Sequence, residues 1–331
     1  MGLKNHSGNK HFSPPQVVTL GETMLRLSPV TVSTLEETQQ FQVAVGGAES
    51  NVAVGLARMG MQAGWISKLV DNSIGRLIAK RIQWHGVDIS RIVWSENGRN
   101  GLYYLEPGLE PRTTRIIYDR TDSVFTTLRY EEIDWAYFNQ ARLVHLSGIT
   151  PALSGGINRL THQIIDQEKK HKKLISFDIN YRSKLWLPAT ARKTLTQIAE
   201  KVDILICSLN DAATVFGYRS TDAEEVAKSL LHQFRNRIVV LTLADRGALA
   251  CDGKNSWYQD AYQASIVDRI GRGDSFSAGF LYGYLNDSVQ AGLKYGNAMA
   301  ALNQTYKGDF FWGGKVEVDR LVAGSSKKLD R

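Results

Sequence analysis

The sequence predicts an α/β fold, a mostly parallel central sheet with helices on both faces, together with a small β-sheet lid. Three observations carry this reading. Short apolar runs alternate with helical-period segments along most of the chain, glycines mark the strand-to-helix turns, and two stretches break the rhythm with period-two alternation. Strands alternating with helices imply right-handed βαβ units, whose parallel strands are covered on both faces.

In chain order, VVTLG (17–21) is a short β-branched run ending in glycine, a buried strand. VGGAESNVAVGLARMG (45–60) opens on glycines and turns helical, with Val52, Leu56 and Met59 at helical spacing and Gly60 as C-cap. AGWISKLV (63–70) is a strand, LIAKRIQWHG (77–86) a helix closed by Gly86, and a further strand follows. The alternation resumes with strands at 142–148, 173–180, 203–208 and 237–243 and helices at 155–170, 189–200 and 222–234; the last helices cover 275–285 and 289–306. Residues 24–45 and 96–120, which include GLYYLEP and TTRIIYDR, alternate in polarity and predict a solvent-exposed sheet inserted into the α/β body. Such an appendage acts as a lid over a site at the strand C-termini. The expected organisation is a tail over 1–15, one domain with its lid over 16–323, and a second tail over 324–331.

Composition narrows the function classes. Over 331 residues the chain is 43% hydrophobic and 22% charged, ordinary globular values. No stretch approaches the roughly 20 uninterrupted apolar residues of a membrane helix, and the polar N-terminus has no apolar core of a secretory signal. Cys207 and Cys251 stand in no metal or redox spacing, which fits reduced cysteines in a cytoplasmic protein. The formal charge of +7 is spread along the chain, as suits handling of anionic small molecules, and predicts no nucleic-acid partner and no membrane partner.

The chain lacks a G-x-x-x-x-G-K-[ST] phosphate loop, H-E-x-x-H, G-x-S-x-G, and G-x-G-x-x-G after the first strand. The informative segment is IVDRIGRGDSFSAGF (266–280): a strand end, a tight turn carrying Gly271 and Gly273, and a helix opening at about Asp274. Glycines let the backbone approach a ligand, and a helix N-terminus offers unpaired N–H groups to a phosphate. An aspartate there is placed to take a proton from an attacking hydroxyl, or equally to serve as a helix N-cap. The local residues do not choose between these two.

D-x-x-G-x-G-D-x-F-x-A-G-F closely resembles the C-terminal signature of ribokinase-like (PfkB) sugar kinases, and GGAESNVAVGLARMG (46–60) resembles their N-terminal one. The resemblance runs from about residue 16 to 323 and implies a ribokinase-like fold and a carbohydrate kinase. It also implies that Asp274 is the catalytic base, that amides of Gly271, Arg272 and Gly273 form the anion hole, and that Gly46, Gly47 and Asn51 meet the sugar. ATP and Mg²⁺ are the implied cofactors. HLSGITPALS (145–154), FDINYRSKLW (177–186), GLYYLEPG (101–108) and KGDFFW (307–312) resemble segments of the 2-keto-3-deoxygluconate kinases. That likeness implies Tyr103, Tyr118, Arg120 and Arg182 around the ligand, with Asp309 closing the site, and phosphorylation of O6 of this sugar acid. A fructose- or ribose-type kinase, and a catalytically weak sugar-binding regulator, are the alternatives; a homo-oligomer through the lid is allowed. On the nucleotide side stand Thr242, Gly247 and Asn297. Three departures mark this chain. Ser208 and Asp211 replace the family's N-x-x-E, Arg272 sits where Ala or Gly is usual, either clamping phosphate or obstructing nucleotide, and Ala244 replaces a phosphate-side glycine.

Overall fold

The computed structural model describes residues 14–324, so most of both expected tails lies outside the described residues. The first third runs β1 (Val17–Leu20), β2 (Met24–Pro29), β3 (Phe41–Gly46), α1 (Ala48–Arg58), β4 (Ala63–Ile66), β5 (Lys68–Val70), α2 (Ser73–Trp84), β6 (Val93–Ser95), β7 (Leu102–Glu106) and β8 (Arg115–Asp119). There follow α3 (Trp135–Phe138), β9 (Leu143–Ser147), α4 (Gly155–Lys170), β10 (Leu174–Asp178), α5 (Pro188–Ala199), β11 (Ile204–Ser208), α6 (Leu209–Asp211), α7 (Ala223–Phe234) and β12 (Ile238–Thr242). The chain closes with β13 (Ala248–Cys251), β14 (Ser256–Gln259), α8 (Arg272–Asn286), α9 (Val289–Asn303) and α10 (Lys315–Val322).

The main sheet has eight strands in the order β14-β13-β12-β11-β10-β9-β1-β4. All neighbours are parallel except β13 and β14, which pair antiparallel at one edge. Its strands are apolar throughout because each face meets its own core. Leu205, Val239 and Leu241 belong to the cluster beneath α4, α5 and α7, while Ile204, Ile206, Ile238 and Val240 point into the cluster holding α1, α8 and α9. From β1 the chain pairs outward to β4, then returns to β9 on the other side and proceeds towards β12. The strand order reverses at β1, and a crevice opens at the strand C-termini beside such a point.

A separate four-stranded sheet, β3-β2-β7-β8, comes from the two alternating stretches. Its inner side chains, Met24, Tyr103 and Leu105, pack with Ile116, Tyr118 and Ile270. The run read as one strand over 63–70 divides at Ser67: β4 stays in the main sheet, and β5 turns away to pair with β6. Helix α2 begins earlier than its apolar pattern indicates, because the Asn72 side chain accepts from the Ile74 and Gly75 amides. Cys207 and Cys251 are buried free thiols.

One core carboxylate stands against stability. Glu168 in α4 is fully buried, and neither of its oxygens has a hydrogen-bond partner. Burial pushes its pKa up to about 7, with Lys173 opposing. A carboxyl raised this way contributes most below its unfolded value near 4.5, and that contribution is lost as pH rises through 7. Glu168→Gln is therefore expected to raise stability at pH 8 by roughly 1–3 kcal/mol, with the gap closing towards pH 4. Denaturant unfolding at both pH values checks it; equal midpoints at pH 8 would refute it.

Candidate active site

The crevice at the switch point opens into a cleft of about 1080 Å³ under the lid. Every residue singled out above as a site candidate lines this one cleft. The strand C-termini supply Asp178 from β10, Ser208 from β11 and Thr242 from β12. The lid supplies Tyr103 and Tyr118, and α1 supplies Asn51.

The turn before α8 is built on Gly271. This residue is the helix N-cap with φ of 78°, and a Cβ there would lie 2.0 Å from the Asp309 carbonyl oxygen. Helix α8 consequently starts at Arg272, two residues before the expected start, so Asp274 lies in the first turn and is not the N-cap. Its carboxylate accepts from Asn51 Nδ2 at 2.6 Å and also hydrogen-bonds the Asn180 side chain. Burial lifts its pKa to about 6, against the pull of Asn51 and Arg182. At neutral pH the group is ionised and still basic enough to accept a proton, which is what a general base requires.

Asp178, passed over among the sequence candidates although it lies in the quoted FDINYRSKLW segment, sits beside it. Burial and the neighbouring Asp274 and Asp211 push its pKa up to about 7, and Ser277 Oγ donates to it at 3.2 Å. Asp211 is also raised by burial. Ser208 Oγ accepts from the Asp211 amide at 2.9 Å and so caps the short helix α6. Glu49, buried in α1, spans the switch point: one carboxylate oxygen takes bonds from the Ser147 hydroxyl and from Thr150 at 2.7 Å each.

The two candidate arginines differ in their surroundings. Arg120 is tied down: its Nε donates to Glu22 Oε2 at 2.8 Å, and a second nitrogen reaches the same oxygen. Arg182 is exposed, forms no ion pair among the described residues, and has only a long 3.4 Å bond to the Tyr181 carbonyl. Tyr103 donates to Asp309 at 2.6 Å, and a Cβ on Gly46 would lie 2.3 Å from that same carboxylate. Close approach of this pair is what demands the glycine. Arg272 turns to the rim, where it meets exposed Asp245 at 2.9 Å. Ala244 adopts φ of 55°, the conformation that glycine takes without strain, so the replacement keeps the glycine's backbone shape. Gly247 and Asn297 line the same end of the cleft as Thr242.

A family model for pfkB family carbohydrate kinases matches residues 14–311. The chain belongs to the PfkB family. It is a carbohydrate kinase with the ribokinase-like fold. A 2-dehydro-3-deoxygalactonokinase of Haloferax volcanii is 38% identical, the match covering 96% of this chain and 99% of that one. The crystal structure of a 2-dehydro-3-deoxygluconokinase from Thermotoga maritima superimposes with a TM-score of 0.90 at 32% identity, over 95% of this chain and all of that one. A protein from E. coli, solved in complex with ATP and Mg²⁺, shares the fold at 19% identity with a TM-score of 0.84, over 94% of this chain and 99% of that one. PfkB kinases use ATP and Mg²⁺ and take small-molecule sugars. Among the described residues, no helix is long and apolar enough to cross a membrane.

Three charged groups in and behind the cleft have partners that the sequence does not reveal. Glu22 and Arg26 are lone charged residues in the sequence, and Asp268 opens the C-terminal signature with no stated partner; their partners lie 98, 283 and 242 positions away.

Proposed function

We propose that this PfkB kinase transfers the γ-phosphoryl of ATP to the terminal hydroxyl, O6, of 2-keto-3-deoxygluconate. The observation that carries the reading is Arg182, a guanidinium lining the cleft near Asp274 that forms no salt bridge among the described residues. A neutral sugar gives such a group nothing to pair with, whereas a 2-keto-3-deoxy acid brings a carboxylate that a guanidinium fork matches. The names of the Haloferax and Thermotoga relatives agree with an acid of this type. The first of them favours a second reading, the galactonate epimer, which differs at a single hydroxyl-bearing carbon.

In this mechanism Asp274 takes the proton of the attacking hydroxyl, and the amides of Gly271, Arg272 and Gly273 hold the phosphoryl oxygens. Gly46, Gly47, Asn51, Tyr103, Tyr118, Arg120 and Asp309 surround the sugar; Ser208, Asp211, Thr242, Gly247 and Asn297 face the nucleotide. Among the described residues, no cluster of three or more His, Cys, Asp or Glu is arranged to hold a metal. Two cleft carboxylates, Asp211 and Asp178, would hold Mg²⁺, an ion that keeps several waters and needs only one or two protein carboxylates beside phosphate oxygens. When bound, the ion neutralises charge on the phosphates. The lid excludes water from the transfer and offers a surface for a homo-oligomer. The protein works in the cytoplasm.

Coupled ADP release with 2-keto-3-deoxygluconate, its galactonate epimer, fructose and ribose in parallel tests the reading. Higher kcat/KM on the two acids is expected; preference for fructose or ribose would overturn it.

A further inference from the structure

We propose that Arg26, on a lid strand, is a positioning residue for phosphoryl transfer, holding the anion-binding turn against the lid through Asp268 and Asp309. The inference rests on kinase chemistry in this cleft and not on which sugar is taken.

Arg26 lies in the middle of β2 and is 4% exposed. One terminal nitrogen donates to Asp309 Oδ1 at 2.8 Å and the other to Asp268 Oδ2 at 2.8 Å. The remaining oxygens of the two carboxylates are also engaged. Asp309 Oδ2 accepts from Tyr103 of the neighbouring lid strand, and Asp268 Oδ1 accepts from the Ile270 amide at 3.0 Å. Asp268 Oδ2 takes a second bond from the Gly308 amide at 3.1 Å. A single guanidinium thus joins the lid sheet, the 268–271 loop and the 308–309 loop.

Those loops are the walls of the anion-binding turn. Gly271 backs directly onto the Asp309 carbonyl, and Ile270 packs among Met24, Tyr103 and Leu105 of the lid. The turn is therefore held between two surfaces that Arg26 binds together. Charge adds a second reason. Asp268 and Asp309 are two carboxylates set behind a turn that must receive a polyanion, and Arg26 is ion-paired with both. Without it their negative charge opposes the incoming phosphates at short range and low dielectric. A salt bridge that merely stabilised the lid would not need to touch the residues next to Ile270 and Gly271. The remaining nitrogen of Arg26, Nε, is buried with no partner, so the residue's polar contacts all run to these two carboxylates.

The test compares Arg26→Met and Arg26→Lys with the wild type in three measurements. They are steady-state ADP release with 2-keto-3-deoxygluconate, calorimetric titration of ATP–Mg²⁺ without sugar, and thermal unfolding. A displaced turn is expected to lower kcat by about 10²-fold in Arg26→Met, the scale of a misplacement near 1 Å, and to weaken ATP binding. Lysine keeps the charge but reaches only one carboxylate, so it recovers part of both losses. Folded Arg26→Met with wild-type kcat and ATP affinity overturns the proposal, as does a lowered Tm accompanied by unchanged turnover of the folded fraction. If Arg26→Met does not fold, the lysine variant decides, and wild-type values in it overturn the proposal. A wild type silent on this sugar defeats the substrate assignment alone. The calorimetric comparison then still decides: weaker ATP binding in the variants supports the proposal, and equal binding ends it.

Discussion

Asp274→Asn is expected to lower kcat by about 10²–10⁴-fold, the usual share of general-base catalysis. The amide is nearly isosteric, so the hydrogen-bonded position beside Asn51 is kept while the capacity to take a proton is lost. Sugar and ATP affinities should therefore change little, which separates this role from a packing role. The wild-type pH profile provides an independent readout. Burial sets the Asp274 pKa at about 6, and the base must be ionised to act. Activity should then fall about tenfold per unit below pH 6 and level off above it. Near-wild-type turnover in Asp274→Asn, or a flat acid limb, would exclude the carboxylate as the base.

Arg182→Ala is expected to reduce kcat/KM for 2-keto-3-deoxygluconate by about 2–5 kcal/mol, which is roughly 30- to 5,000-fold. The loss arises because the substrate carboxylate, stripped of water in the closed cleft, is left without its fork. Lysine at this position should restore only part of it, since charge returns without the paired geometry. Residual activity on fructose or ribose should barely change above pH 7. Below that, a second effect enters for every substrate. Arg182 lowers the Asp274 pKa, so its removal raises that pKa and moves the acid limb to higher pH. Equal losses on acidic and neutral sugars at pH 8 would assign Arg182 to phosphate or to structure.

Much of this architecture was legible because parallel strands carry apolar side chains towards both faces. Runs such as DILICS and RIVVLTL could be little else, and the polar alternation of GLYYLEP and TTRIIYDR set the lid strands apart from them. The edge hairpin β13–β14 was not legible: ALAC is short, fully buried and without alternation, and so resembles any apolar fragment. The N-terminus of α8 was placed two residues late because Asp274 is a good capping residue, whereas the cap is Gly271 in a left-handed conformation that no side chain announces. Residues of the two glycine-rich signatures that line the cleft were readable from local pattern. Arg26 was not, because a charged residue in an alternating strand reads as solvent-facing; only tertiary structure brings Asp268 and Asp309 to it. Glu22 is hidden as well, since its partner Arg120 lies 98 positions away, just beyond β8.

The central claim is transfer of a phosphoryl group from ATP to the terminal hydroxyl of a 2-keto-3-deoxy sugar acid. Phosphorus NMR of a reaction mixture run to completion with ATP, Mg²⁺ and 2-keto-3-deoxygluconate tests it most directly. The account predicts one new phosphomonoester, coupled to the protons of the terminal carbon, in an amount equal to the ADP formed. ADP accumulating with free phosphate and no sugar phosphate, or a phosphate on any other carbon, would contradict it.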